Sequence, residues 1–169
     1  MSDSRDLPLY LASRLDYCSS VFYQLSAANL QALQSVLNAG ARLIMRKRKY
    51  DHITSTLRNV LHCLPIRQRI LYKLSTIVYK CIHGAAPSYL TNLYVPVATN
   101  TSRRYLRSAT HGDLLVPRTR TVTCGPRSFA VSGPTVWNTL PSTLRVSTTT
   151  LGQFQSGKMT ILFRLAYGT

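Results

Sequence analysis

The sequence predicts a mainly α-helical protein: a helical bundle in the N-terminal half, then a small β-hairpin region and a final helix. In the first half, apolar side chains recur at intervals of three and four residues, the period of a helix with one buried face. After Pro96 the pattern changes to short runs of β-branched residues separated by turn residues, which is typical of short strands. The predicted units are a helical bundle over 1–96, a basic loop over 97–113, and a hairpin region with the final helix over 114–169.

The first two helices follow from the apolar spacing. One is predicted over 11–25, and its apolar stripe consists of Leu11, Leu15, Cys18, Phe22 and Leu25. The other is predicted over 27–49 with Ser26 as its N-cap. This second helix runs into Arg46–Lys49, whose cations would lie at the negative end of the helix dipole.

Two further helices complete the predicted bundle. Asp51 is expected to cap a short helix that carries Ile53 and Leu57 on its apolar face. Pro65 suits the first turn of the next helix, which is predicted over 65–83 and which Gly84 ends.

The C-terminal part is predicted to contain both strands and a helix. Residues 114–137 form the β-hairpin region, with turns at Cys124–Arg127 and Ser132–Pro134. Thr150 and Gln153 have the spacing of a capping box, so the final helix is predicted to begin directly after Thr150.

The charge balance is strongly one-sided. The chain has 21 Lys and Arg residues against 5 acids, a formal net charge of +16, and it contains no glutamate. Fifteen of the 21 cations lie between residues 42 and 120. A charge of this sign concentrated in one segment favours a polyanionic partner, and nucleic acid is the most common one.

Catalytic and metal sites are not predicted. The five aspartates form no pair that could hold two catalytic metal ions, and no nucleophile elbow or glycine-rich phosphate loop is present. The four cysteines lack the short spacing of a zinc site, so they are expected to be reduced thiols. No catalytic residue, metal ligand or cofactor is therefore expected.

Three groups of basic residues are candidates for phosphate contacts. Arg46, Lys47, Arg48 and Lys49 are followed by Tyr50, and this cluster also fits a nuclear import signal. On the fourth predicted helix, Arg69, Lys73 and Lys80 share one stripe, which could equally be a solvated helix face. In the basic loop, cations surround an aromatic residue that could stack on an unpaired base; this third group is Arg103, Arg104, Tyr105 and Arg107.

Long segments of the chain resemble a known family. They include RLDYCSSVFYQL, LQALQSVLNAGARLI, KYDHITSTLRNVLHCLPIRQRILYKLSTIVYKCIHGAAPSYL, LRSATHGDLLVPRTRTVTCGPRSFAVSGPTVWNTLPSTLR and LGQFQSGKMTILFRLAY. Together, over about residues 9–167, they resemble the C-terminal region of the reverse transcriptase polyprotein of LINE-type non-LTR retrotransposons. The jockey-like and chicken-repeat-like branches of these transposable elements are the most similar.

The resemblance implies a non-catalytic fragment that follows the polymerase palm. The palm's aromatic-Ala-Asp-Asp motif is absent here, so residues 1–96 would correspond to a thumb-proximal bundle that holds RNA or a primer–template. The implied partners are RNA or DNA, bound mostly through phosphates, and the upstream reverse transcriptase domain. The matching segments add Arg42, Arg67, Arg118 and Arg120 to the candidate nucleic-acid-binding residues.

The sequence departs from the family pattern at one residue and in one short segment. Cys63 stands where the family usually has tryptophan, and Gln155–Gly157 replaces a usual lysine pair. Two alternatives therefore stand beside nucleic-acid binding: a docking module on the polymerase thumb, and a decayed or domesticated retrotransposon-derived protein. Neither a membrane nor a small-molecule substrate is an expected partner. The polar N-terminus lacks a secretory signal, which favours a nuclear or cytoplasmic location.

Overall fold

The computed structural model describes residues 13, 17, 19–99, 111–122, 124–145 and 149–168. Its α-helices are α1 (Ala27–Ile44), α2 (Thr54–Asn59), α3 (Ile66–Ile82), α4 (Ser88–Thr91), α5 (Phe129–Asn138) and α6 (Leu151–Tyr167). Short 3-10 helices cover Ser19–Phe22, Val97–Thr99 and Ser142–Leu144. The prediction of a mainly helical fold is confirmed.

Helix α3 is the centre of the fold. It packs against α1 and the 3-10 helix Ser19–Phe22, and also against α5 and α6. Leu74 and Val78 in its middle have no exposed surface, since neighbouring helices cover them. A helix that is buried to this depth draws most of its stability from packing rather than from intrinsic propensity.

The main core is an aromatic stack formed by three helices. Phe154 of α6 lies between Tyr79 of α3 and Trp137 of α5, with ring centroids 4.5 Å and 5.8 Å apart. The indole Nε1 of Trp137 donates a hydrogen bond of 2.9 Å to the Gly112 carbonyl. The only tryptophan of the chain is thus both buried and hydrogen-bonded.

The start of α6 and its packing follow from local sequence. The capping box is confirmed, because the Thr150 side chain accepts from the Gln153 amide and the Gln153 side chain accepts from the Thr150 amide. Within the helix, Gly157 faces Leu144, and an added Cβ would lie 2.7 Å from Leu144 Cδ2. This close packing explains a glycine at a position where it weakens the helix itself.

The predicted β-hairpin is wrong over 129–137. In the described part of the chain, the only β feature is an isolated antiparallel bridge between Pro96 and Leu114. The turn at Cys124–Arg127 is confirmed, but Ser132–Pro134 lies inside α5 instead of forming a second turn. Burial overrides the local turn signal here, because the small residues of α5 allow the helix to pack closely against Tyr94.

Three helix boundaries also differ from prediction. The helix predicted over 27–49 ends at Ile44, and the residues after it form a turn. Of the helix predicted over 11–25, the described residues contain a 3-10 helix over Ser19–Phe22, and positions 11, 12, 14–16 and 18 lie outside them. Asp51 does not cap α2, whose N-cap position is occupied by Ile53.

Candidate nucleic-acid interface

Helix α1 leads directly into a compact turn over residues 46–50, which we call the basic turn. Arg46 has a left-handed backbone with φ of 50°. The Arg46 amide donates to the Leu43 carbonyl at 3.2 Å and the Lys47 amide donates to the Arg42 carbonyl at 2.9 Å. These two bonds form a Schellman motif, which satisfies the last carbonyls of α1 and reverses the chain.

Asp51 closes the basic turn from its other end. The carboxylate accepts a hydrogen bond of 2.9 Å from the Arg48 amide, and the Asp51 amide donates to the Arg48 carbonyl at 3.2 Å. The Arg42 side chain then reaches across from α1, and its Nε donates to the Asp51 carbonyl at 3.1 Å. Hydrogen bonds therefore hold the backbone of the turn at both ends before any ligand binds.

The cations of the basic turn have two different roles. Lys47 is half-buried, and its Nζ donates to Thr56 Oγ1 of α2 at 2.7 Å. Arg46, Arg48 and Lys49 are exposed. Of the predicted contact residues in this segment, Arg42 and Lys47 thus hold the turn in place while the other three cations are directed to solvent.

Tyr50 completes the exposed surface of the basic turn. Its side chain is 87% exposed, and Lys49 Nζ lies 5.5 Å from the centroid of its ring. An ammonium group at this distance from an aromatic face is within the range of a cation–π interaction. The turn therefore presents an aromatic ring together with positive charge.

The basic residues of α3 face a different environment. Arg69 and Lys73 line a cavity of about 860 Å³ that also contacts Ala41 and Ile44 at the end of α1. Arg69 Nη1 donates to the Cys63 Sγ at 3.1 Å, so this guanidinium is part of the packing around the cavity. Arg67 is exposed, and Lys80 lies half-buried in the last turn of the helix. The stripe predicted on this helix is thus divided, because Lys80 does not line the cavity.

The remaining predicted contact residues are only partly located. Arg118 and Arg120 are exposed on the segment that follows the Leu114 bridge. The predicted stacking loop, Arg103, Arg104, Tyr105 and Arg107, lies outside the described residues. The basic turn is therefore the candidate site whose geometry the structure gives in full.

Two cations outside the predicted site are not on the surface. Arg145 forms an ion pair with Asp113, and both side chains are largely buried. Lys158 is only 4% exposed and lies on the core-facing stripe of α6 between Phe154 and Leu162. Burial lowers the pKa of Lys158 to about 8. The i, i+4, i+8 spacing of these three residues indicates this burial, whereas in the sequence analysis Lys158 was included only in the net charge.

The described residues contain no cluster of three or more His, Cys, Asp or Glu side chains that could hold a metal ion. Cys63 is half-buried, Cys81 is buried and Cys124 is exposed, and all three are free thiols. Over the same part of the chain, no helix is long and apolar enough to cross a membrane.

No protein-family model, curated protein or solved structure matches this chain. Three exposed cations on a fixed backbone can contact consecutive phosphates, and such contacts position a polyanion without selecting its sequence.

Proposed function

We propose that this protein binds nucleic acid without catalysing a reaction, and that it corresponds to the C-terminal region of a non-LTR retrotransposon reverse transcriptase. The observation that supports binding most directly is the basic turn, which exposes Arg46, Arg48 and Lys49 on a hydrogen-bonded backbone. Because the backbone of the turn is already ordered, only the side chains lose conformational entropy when these cations contact phosphates. The proposed location is the nucleus or the cytoplasm, where RNA and DNA are available.

The net charge supports the same proposal. The formal charge of +16 over 169 residues gives the protein a long-range attraction for polyanions at low salt. Asp51 and Asp113 are already engaged, one by the Arg48 amide and one by Arg145.

The test is the triple variant Arg46→Gln, Arg48→Gln and Lys49→Gln. Lys47 is left intact because its Nζ holds the turn to Thr56, and its loss would change the structure as well as the charge. Binding of a fluorescent RNA and a fluorescent DNA is measured by anisotropy over a salt series. We expect weaker binding to both, and a log–log salt slope that is shallower by about 0.7 to 0.9 for each lost phosphate contact.

A matched control separates the turn from general charge. Arg164 is exposed on α6, so Arg164→Gln removes the same charge as the single variant Arg48→Gln at a different site. We expect Arg164→Gln to keep the salt slope of the parent, and Arg48→Gln to have a shallower slope. A triple variant that binds as tightly as the parent, with an unchanged slope, would contradict the proposed surface.

A docking module is the second candidate, and the cavity between α1, α2, α3 and α6 favours it. The cavity lining is mainly apolar, and α1 also exposes Val36 and Leu43 on its outer side. Such surfaces fit a protein partner, for which the upstream polymerase domain is the proposed occupant. A docking module would show no nucleic-acid binding at about 150 mM salt, whereas the first candidate retains it.

A further inference from the structure

Tyr50 differs from the other exposed tyrosines of the described residues in its surroundings. At 87% exposure it presents nearly its whole ring to solvent, compared with 77% for Tyr17 and 70% for Tyr89. Two exposed cations, Arg48 and Lys49, come just before it in the sequence, and Asp51 follows it. Tyr89, in contrast, lies on the short helix α4 between Ser88 and Leu90, where the adjacent residues carry no charge.

The ring is carried by a backbone that is already ordered. The Schellman motif fixes the start of the basic turn. The hydrogen bonds between Arg48 and Asp51 fix its end, and these two residues enclose Lys49 and Tyr50 in the sequence. An aromatic side chain has only two rotatable bonds, so placing it on a fixed turn leaves little entropy to lose on binding. This arrangement favours contact with a flat, apolar partner.

An unpaired nucleobase is such a partner. Every base has a π face that can stack on an aromatic ring, and neighbouring cations can neutralise the phosphates on either side. The bases of a duplex already stack on each other and leave no face free in the middle of the helix. We propose that Tyr50 stacks on an unpaired base, so that the ligand of the basic turn is single-stranded nucleic acid. This inference rests on the proposed function.

The experiment compares Tyr50→Ala with Tyr50→Phe and with the control Tyr89→Ala. Each variant is titrated with a fluorescent oligo(U), an oligo(dT) of equal length and a DNA duplex. We expect Tyr50→Ala to lose roughly 5- to 150-fold in affinity for the single strands, the range for loss of one base–aromatic stack. Duplex binding should not change, and the salt slope should also stay constant because no phosphate contact is removed. Tyr50→Phe and Tyr89→Ala should bind like the parent, since both variants have an aromatic ring at position 50.

The outcomes separate the inference from the function on which it rests. If the parent binds none of the three probes, the proposed function fails. If the parent binds all three and Tyr50→Ala binds them equally well, nucleic-acid binding stands and the stacking inference is overturned. An equal loss for duplex and single strands also overturns it. A loss in both single-strand arms supports stacking with either sugar, and a loss in the oligo(U) arm alone supports stacking with RNA as the ligand. Circular dichroism of Tyr50→Ala checks that the exposed side chain is not needed for folding.

Discussion

Lys158 makes the stability of this protein depend on pH in a direction that can be worked out in advance. Its side chain is 4% exposed in the stripe of α6 that contains Phe154 and Leu162, and this burial lowers its pKa from 10.5 to about 8. In the unfolded chain the same group is solvated and keeps its ordinary pKa. Below pH 8 the ammonium is charged in both states, so the folded state carries the full cost of burying a charge. Between pH 8 and 10.5 the unfolded state binds more protons, and the contribution of Lys158 to stability therefore rises with pH.

The substitution Lys158→Met removes this effect while keeping an unbranched side chain of similar length. The difference between 10.5 and about 8 corresponds to about 3 kcal/mol in the free energy of unfolding. We expect the variant to be more stable than the parent by up to this amount at pH 7, because an apolar side chain replaces a buried ammonium. The gain should shrink steadily above pH 8 and disappear towards pH 10.5.

Urea unfolding at several pH values between 7 and 10 measures the gain. Trp137 is the only tryptophan and is buried against Phe154, so its fluorescence reports loss of the core. Burial also raises the pKa of Cys81 and of Tyr94, and their ionisation in the unfolded state lowers the stability of both proteins at high pH. This contribution is common to parent and variant and cancels in the difference between them.

The control is Lys49→Met, which replaces an exposed lysine of the basic turn. Its effect on the free energy of unfolding should be small, and it should not decrease between pH 8 and 10 as the effect of Lys158→Met does. A stability difference between Lys158→Met and the parent that stays constant from pH 7 to 10 would refute the reasoning. It would mean that the Lys158 ammonium reaches water or a partner in the folded state.

Two further predictions concern backbone and packing. Arg46 and Gly84 both follow a helix end with a left-handed backbone, φ 50° and 67°. Arg46→Gly should therefore stabilise the protein by roughly 1 kcal/mol, and Gly84→Ala should destabilise it by a similar amount, both measured by thermal unfolding. Gly133→Ala should be far more harmful, because the added Cβ would lie 2.8 Å from Tyr94 Cε1 inside the core. Gly152→Ala is its control: nothing lies within 4 Å of that position on α6, so a neutral or stabilising effect is expected, and equal losses at the two sites would contradict the packing argument.

The sequence was most informative where local chemistry and burial agree. Helix α3 is predicted nearly to both ends by its apolar stripe, Pro65 and Gly84, and the start of α6 is predicted by its capping box. Helix α5 was missed because Gly133 and Pro134 are turn residues by local preference. Their helical conformation depends on contact with Tyr94, which lies 39 residues earlier and cannot be seen in a short window.

The candidate site was predictable in position but not in detail. The run Arg46–Lys49 is evident as a charge cluster, yet the sequence places it on a helix whereas the structure has a turn. The helix ends because Arg46 adopts a left-handed backbone conformation. Glycine usually occupies this position after a helix, and its absence here removes the sequence signal for the helix end. The anchoring of Lys47 depends on Thr56, nine residues away in another helix, so exposed and structural cations could not be separated in advance.

The stack of Tyr79, Phe154 and Trp137 has a consequence for synthesis. The three rings come from positions spread over 75 residues, so the contact forms only after a long loop has closed. During translation, Tyr79 and Trp137 leave the ribosome before the helix that covers them, and both rings stay exposed to water and to other chains in that interval. Helix α6 thus completes the core as it emerges, and the nascent chain is most prone to aggregate just before that point.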